Sequence, residues 1–428
     1  MNTFAAALAQ AEEALNDAPD SPGVYRRAFA FCAYDHDFLA WLSAQAAFPQ
    51  FYWRSRDGDE EVAALGAAQA FASLDEAQAF LRQHEDEPDL RACGLNAFDP
   101  AHGFLFLPRL ALHREGERAS LVVTLFSEHS RRQAAEALQR NLRSLQTPRL
   151  LPPGAPPLVS RCDCPQAKAW TRLVARASEA IARGDIAKVV LARATDLRFA
   201  SPPDAAALMA ASREANHYCY HFYLAFSARD VFLGSTPERL WRREGCALAT
   251  EALAGTVENH PDDAQASARA AWLQDDDKNR RENALVVDDI CARLQAIARD
   301  VHIQVAQVVR LRRVQHLKRV IFGRLLRADD AACLRQLQPT AAVAGLPREA
   351  ARRFITDNEP FDRAWYAGSA GYLSKEKTEF CVSLRAARIT DDTVRLYAGA
   401  GLVAGSEAAL EWQEIENKAA ALLSLLTG

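Results

Sequence analysis

A mixed α/β fold is the expectation for this chain, and three observations predict it. Short runs rich in β-branched and aromatic residues recur along the sequence, bounded by Gly, Pro, Asp or Asn. Between them lie stretches with apolar residues at helical spacing. At 428 residues, 49% hydrophobic and 25% charged, the chain can enclose a large core, as two or three domains or as one large α/β unit.

The N-terminal stretch, Met1 to Asp17, carries Ala and Leu at helical spacing with Glu12, Glu13 and Asp17, and lacks the basic start and apolar centre of a signal peptide. From residue 22 to 150, short strands alternate with turns and two or three helices. Tyr25 to Tyr34 and Phe51 to Arg54 fit strands, Arg56-Asp57-Gly58-Asp59 a hairpin turn, and Glu61 to Phe71 the returning strand. Leu74 to His84 is an amphipathic helix, Gly103 to Leu110 and Ala119 to Phe126 are strand-like, and helix returns at Ser130 to Leu145. No cluster of chemically useful groups stands out here, so the region is expected to be scaffold. Leu151-Pro-Pro-Gly-Ala-Pro-Pro157 can continue neither a helix nor an inner strand. It divides the chain into an N-terminal part, residues 1–157, and a second part, residues 158–428, where the candidate chemistry lies.

A helix from Gln166 to Arg183, ended by Gly184, leads into the run Ile186-Ala-Lys-Val-Val-Leu-Ala-Arg193. In a strand Lys188 shares a face with Val190 and Ala192. A buried ammonium must find a carboxylate or lose its proton, unless the lysine merely keeps an edge strand soluble. Strands at His221 to Phe226 and Val231 to Gly234 run into Ser235-Thr-Pro-Glu238, where Pro237 interrupts the ladder and aims Glu238. The alternative is an ordinary turn glutamate. Thr250-Glu-Ala-Leu-Ala-Gly-Thr256 is a run of small residues that allows close backbone approach. The long helix from Lys278 to Ala298 has Glu282 in its first turns, on a face with Val286 and Asp289.

Val314-Gln-His-Leu317 fits a strand whose His316 is of a kind more often satisfied in a core than catalytic. Leu337 to Pro347 is a loop rich in proline and small residues. Tyr366-Ala-Gly-Ser-Ala-Gly-Tyr372 and Tyr397-Ala-Gly-Ala-Gly-Leu-Val403 are glycine-interrupted strands flanking another, Phe380 to Ala386, that carries Arg385. None is a dinucleotide fingerprint; such glycines instead offer free N–H groups to a carboxylate. The last helix, Glu407 to Leu426 with Ser406 as N-cap, sets Glu411, Glu414 and Lys418 on one face and Ile415, Ala419 and Leu422 on the other. Glu414 and Lys418 also fit a surface i,i+4 ion pair.

The net charge of −4 and the absence of a basic stripe with interleaved aromatics argue against nucleic-acid binding. Nine cysteines are odd in number and scattered, without a CxxC pair or zinc spacing, and Cys162 and Cys164 are expected as free thiols. No stretch of 18 apolar residues occurs, so no membrane span is expected, and a reducing cytoplasm is the expected home. Carboxylates without a His or Cys cluster favour a hard cation, Mg²⁺ before zinc. With an arginine and free N–H groups they suit a small polyanionic substrate, and a lysine opposite a glutamate suits a base and an acid. Spacing alone does not bring these groups together.

Nine segments in order are more specific: Ala187-Lys-Val-Val-Leu-Ala-Arg193, Gly234-Ser-Thr-Pro-Glu-Arg239, Thr250-Glu-Ala-Leu-Ala-Gly-Thr256, Asp277-Lys-Asn-Arg-Arg-Glu-Asn283, Val314-Gln-His-Leu317, Tyr366-Ala-Gly-Ser-Ala-Gly371, Ser383-Leu-Arg385, Tyr397-Ala-Gly-Ala-Gly401 and Glu411-Trp-Gln-Glu-Ile-Glu-Asn-Lys418. The chain resembles the chorismate-utilising enzymes, and among them the isochorismate synthases, most closely the menaquinone-pathway type. The resemblance is strong from about residue 165 to 425 and looser over 50 to 110, through Phe51-Tyr-Trp-Arg-Ser-Arg-Asp-Gly58. It implies a β-sandwich of large sheets with helices packed outside, of the anthranilate synthase component I kind, whose sheets the N-terminal part completes.

By the same resemblance Lys188 is the base that activates water for attack at C2 of chorismate, and Glu238 the acid that protonates the departing C4 hydroxyl. Glu282 and Glu414 hold Mg²⁺, with Glu411 nearby. Arg385, Tyr366, Lys418, Thr256 and the backbone of Gly399, Ala400 and Gly401 bind substrate, and His316 is a pocket wall. A lysine at residue 188 points to water as the nucleophile, since relatives that use ammonia carry glutamine there. The alternatives are a salicylate synthase, a catalytically silent chorismate-binding subunit, and a plain scaffold. A monomer or weak homodimer is expected.

Overall fold

The computed structural model describes residues 3–32 and 36–427. Twenty strands and eleven helices occur among them, and the strands join into one hydrogen-bonded sheet whose pairings are all antiparallel. Its path explains the site. One arm runs from the Lys188 strand (Lys188–Phe199) through Thr393–Leu402, Ala386–Thr390 and Asp230–Thr236 to Tyr220–Ser227. The other runs from Ser369–Ser374 through Lys377–Val382, Arg239–Glu244 and Ala247–Glu258 to Val314–Leu325.

The N-terminal strands join these arms. Gln50–Arg54 pairs with Tyr220–Ser227 of the first arm, Arg91–Asn96 pairs with Ser369–Ser374 of the second, and Glu60–Phe71 and Gly103–Glu115 connect the two. Strand alternation sends side chains into two cores. Phe51, Trp53, Phe222 and Leu224 enter one, while Tyr52, Tyr223 and Ala225 enter the other. Helices cover the sheet. Ala408–Thr427 lies on the Thr393–Leu402 strand, burying Ile415, Ala419 and Leu422, and Asp277–Leu294 lies on Ala247–Glu258, burying Val286 and Ile290. The mixed α/β fold of large antiparallel β-structure with helices packed outside is thus the fold observed.

Several expected boundaries move. The first strand is Gly23–Phe31, and the expected end at Tyr34, like Met1 of the first helix, lies outside the described residues. The helix expected to reach Ala298 ends at Leu294, and Ala298 opens a strand instead. Tyr366 is not in a strand; it sits in a turn before Ser369–Ser374, flanked by Ala364 and Ala367 at φ +48° and +59°. The expected strand Phe380 to Ala386 breaks after Val382 and resumes at Ala386, leaving Arg385 between strands at φ +48°. The expected loop 337–347 contains Gly345–Leu346, which pairs with the Lys188 strand. Ser406 does not begin the last helix, which starts at Ala408; its hydroxyl accepts the Val403 N–H at 3.1 Å. Cys162 and Cys164 lie in an unexpected strand, Leu158–Cys164, and all nine cysteines are free thiols.

Candidate active site

The two arms of the sheet converge on a cavity lined from both of them. Glu238 and Arg385 stand at its two crossing points. Glu238 lies where the chain leaves Asp230–Thr236 of one arm for Arg239–Glu244 of the other, and Arg385 where it returns from Lys377–Val382 to Ala386–Thr390. Pro237 has no N–H to continue a ladder, and Arg385 turns on a left-handed backbone, a conformation that costs a non-glycine residue strain and is concentrated at functional sites.

The remaining walls come from strands and helices in register. Lys188, with no exposed surface, points from its strand to Glu282, its Nζ donating to Oε1 at 2.9 Å. Glu282 lines the cavity; Lys188 lies just behind it. Burial pushes the Glu282 carboxyl up, but the charge and hydrogen bond of Lys188, together with the charges of Lys418 and Lys278, hold it below the usual range. Gly401 passes so close that a Cβ would sit 3.0 Å from Glu282 Oε1 and 3.2 Å from Lys188 Cε, so only glycine leaves these two side chains in place. Gly399 lines the cavity beside it, 3.1 Å from Tyr366 Oη measured from a virtual Cβ. Ala400 alternates to the opposite face and is fully buried, so its backbone alone is near.

On the last helix Lys418 donates to Glu414 at 2.7 Å and to the Gly399 carbonyl at 2.9 Å, tying helix to strand. Glu414 and Lys418 line the cavity; Glu411 is buried just outside it, its carboxyl raised by burial and then by the charge of Glu414. Opposite, Arg385 Nη2 donates to His316 Nε2 at 2.8 Å. A guanidinium cannot accept, so the His316 proton sits on Nδ1, which faces the Thr256 hydroxyl at 3.0 Å. Burial, then Arg385 and Lys418, push the His316 imidazole well below its usual range, keeping it neutral. Thr256 is positioned by a bulge at Ala254-Gly255, where Gly255 has φ +86° and the Thr256 N–H reaches Asn279 Oδ1 at 3.0 Å.

Glu238 is the most perturbed carboxyl of the cavity, 2% exposed and pushed up to about 8 by burial and then by the neighbouring Glu251 charge. It therefore carries its proton at neutral pH. Glu251 is itself buried and held ionised by Arg56, which donates to both its oxygens at 2.7 and 3.1 Å. Arg56 belongs to the N-terminal part expected to be only scaffold. A lone arginine in a hairpin turn carries no local signal of such a contact. The apolar liners Val190, Leu253, Ala342, Val343 and Leu384 also complete the cavity from separate segments.

Residues 27–427 match the family described as chorismate binding enzyme. The chain belongs to the chorismate binding enzymes. It is 56% identical over 409 residues to the isochorismate synthase MenF of Escherichia coli strain K12, covering 95% of each chain. It is 38% identical to the isochorismate synthase MenF of Haemophilus influenzae, over 91% of this chain and 89% of that one. The solved structure of MenF from E. coli, described as the menaquinone-specific isochorismate synthase, superposes with a TM-score of 0.97 at 54% identity, over 99% of this chain and 100% of that one. Anthranilate synthase component I of Streptococcus pneumoniae shares the fold, with a TM-score of 0.68 at 23% identity, over 88% of this chain and 91% of that one.

Proposed function

We propose that this protein is an isochorismate synthase, converting chorismate reversibly to isochorismate by adding water at C2 and losing the C4 hydroxyl, as a step of menaquinone biosynthesis. The observation that carries the reading is Glu238, a carboxyl that keeps its proton to about pH 8 inside a cavity that also presents Arg385, Lys418 and Glu282. A general acid for a departing hydroxyl must be protonated at working pH, and burial beside Glu251 supplies that condition.

Lys188 acts as the base toward the attacking water, which requires its resting ion pair with Glu282 to give way first to the neutral amine. Arg385, bonded to neutral His316 and with no carboxylate partner among the described residues, receives a substrate carboxylate in bidentate fashion. Lys418, Tyr366, Thr256 and the backbone of Gly399 to Gly401 surround the rest of the molecule. His316 holds Arg385 in place and forms the wall.

Mg²⁺ fits the donor set. Glu282 and Glu414 both line the cavity, each with one oxygen engaged by a lysine and the other free of one. Among the described residues no three His, Cys, Asp or Glu side chains gather as a complete metal site. Two carboxylates completed by water and a substrate oxygen are the usual environment of Mg²⁺. Glu282 and Glu414 would hold it, Glu411 would stand behind Glu414, and when bound the ion neutralises the ring carboxylate of chorismate. Nine free thiols accord with a reducing cytoplasm, and no described helix is long and apolar enough to cross a membrane.

Incubation with chorismate and Mg²⁺, followed by chromatography, tests the reading. Isochorismate accumulating to a mixture with chorismate is expected. Salicylate with pyruvate, or no Mg²⁺-dependent product, would overturn it.

A further inference from the structure

The Pro237 and Glu238 carbonyls and the Arg239 N–H are each held by a specific partner, and these partners link the two parts of the chain. The Arg56 guanidinium donates to the Pro237 carbonyl at 2.6 Å. The same side chain clamps Glu251 through both carboxylate oxygens. Glu251 Oε1 in turn accepts the Arg239 N–H at 2.7 Å, and the Glu238 carbonyl accepts the Val382 N–H at 3.0 Å. Arg239 is anchored behind by Glu379 at 3.0 Å, which also accepts from the Tyr220 hydroxyl at 2.7 Å. Pro237 itself breaks the strand ladder, so without these contacts the segment between the arms has little to define its backbone.

We propose that Arg56 and Glu251 are positioning residues that fix the Glu238 segment at the crossing between the two sheet arms and set the charge that Glu238 faces. The inference rests on the reading of Glu238 as the acid. Glu251 faces Glu238 from its own strand, while Lys188, Lys418 and Arg385 face it from the other walls. Arg56 and Arg239 face Glu251. Replacing Glu251 by neutral glutamine removes the one anion among these neighbours and leaves two arginines uncompensated. Both changes favour ionised Glu238, so the acid is lost at lower pH. Arg56→Ala frees the Pro237 carbonyl and the Glu251 carboxylate together. Lysine at 56 supplies one compact donor group in place of the fork, so it restores part of the grip.

The test is the pH dependence of kcat and KM for chorismate with saturating Mg²⁺, in variants shown to fold by circular dichroism and thermal melting. In Glu251→Gln the alkaline limb is expected to move down by about one pH unit. In Arg56→Ala kcat is expected to fall by roughly tenfold to a hundredfold with KM little changed, and Arg56→Lys to recover part of it. A Glu251→Gln profile superimposable on the parent limb, or an Arg56→Ala loss confined to KM or to thermal stability, overturns the proposal. Glu238→Gln, measured alongside, separates the two levels. If it is inactive while the Glu251→Gln limb stays put, only the positioning role falls; if it turns over normally, the acid assignment falls with it.

Discussion

Glu238 shows how much chemistry one side chain draws from its surroundings. A carboxyl on the surface titrates near 4.5, and this one is pushed up to about 8 by burial and by Glu251. The folded state therefore holds a proton that the unfolded chain releases. The stability this contributes is present at acid pH and is lost as pH rises from the unfolded value through about 8. Glu238→Gln keeps the shape and removes the ionisable group, so its melting temperature at pH 8 should exceed that of the parent by roughly 2–4 °C while the difference vanishes near pH 4. Activity of the parent should decline above about pH 8 as the acid ionises. Lys188→Ala should lower turnover by at least about a thousandfold. Calorimetry with Mg²⁺ should still detect chorismate binding in that variant, and undiminished turnover would remove lysine from the role of base.

At the scale of elements, the last helix and the strand beneath it act as a unit. Lys418 bridges Glu414 and the Gly399 carbonyl, so the face that the helix presents is locked to the glycine-interrupted strand. Sequence spacing placed Glu411, Glu414 and Lys418 on one face but could not distinguish a solvated ion pair from a wall of a cavity. Only the Thr393–Leu402 strand, arriving under the helix, decides between them. Glu414→Ala should raise the Mg²⁺ concentration for half-maximal activity by roughly 10- to 100-fold and weaken chorismate binding with it. Unchanged Mg²⁺ dependence would place the ion elsewhere. The departures from strand at Tyr366 and Arg385 have one cause. Both stretches have strand-like composition, yet the chain turns at each, into the second arm at Tyr366 and between the arms at Arg385, and left-handed residues such as Ala367 and Arg385 carry no compositional mark of it.

For the whole molecule, the N-terminal strands are inseparable from the rest by hydrogen bonding. Tyr220–Ser227 loses Gln50–Arg54, and Ser369–Ser374 loses Arg91–Asn96, if the chain is cut at the proline-rich linker. Two long apolar edges would then be exposed. We therefore expect residues 158–428 expressed alone to be insoluble or unfolded, and to be recovered by co-expression with residues 1–157; a soluble, active fragment would show that the linker separates independent domains.

The sequence alone determined the kinds of groups available and their order. Lys188 in an apolar strand, Glu238 after Pro237, Glu282 and Glu414 on amphipathic helices and Arg385 among glycines follow from local pattern, because period and punctuation are properties of neighbouring residues. The ordered motifs carried the family and its fold. What only the tertiary structure decided is which groups meet. Lys188 and Glu282 lie 94 positions apart and bond at 2.9 Å. Arg56 and Glu251 lie 195 apart and set the surroundings of Glu238. Such contacts depend on which strands pair and where the chain crosses between arms. Those choices come from packing the whole chain into two shared cores, which no local window of residues contains.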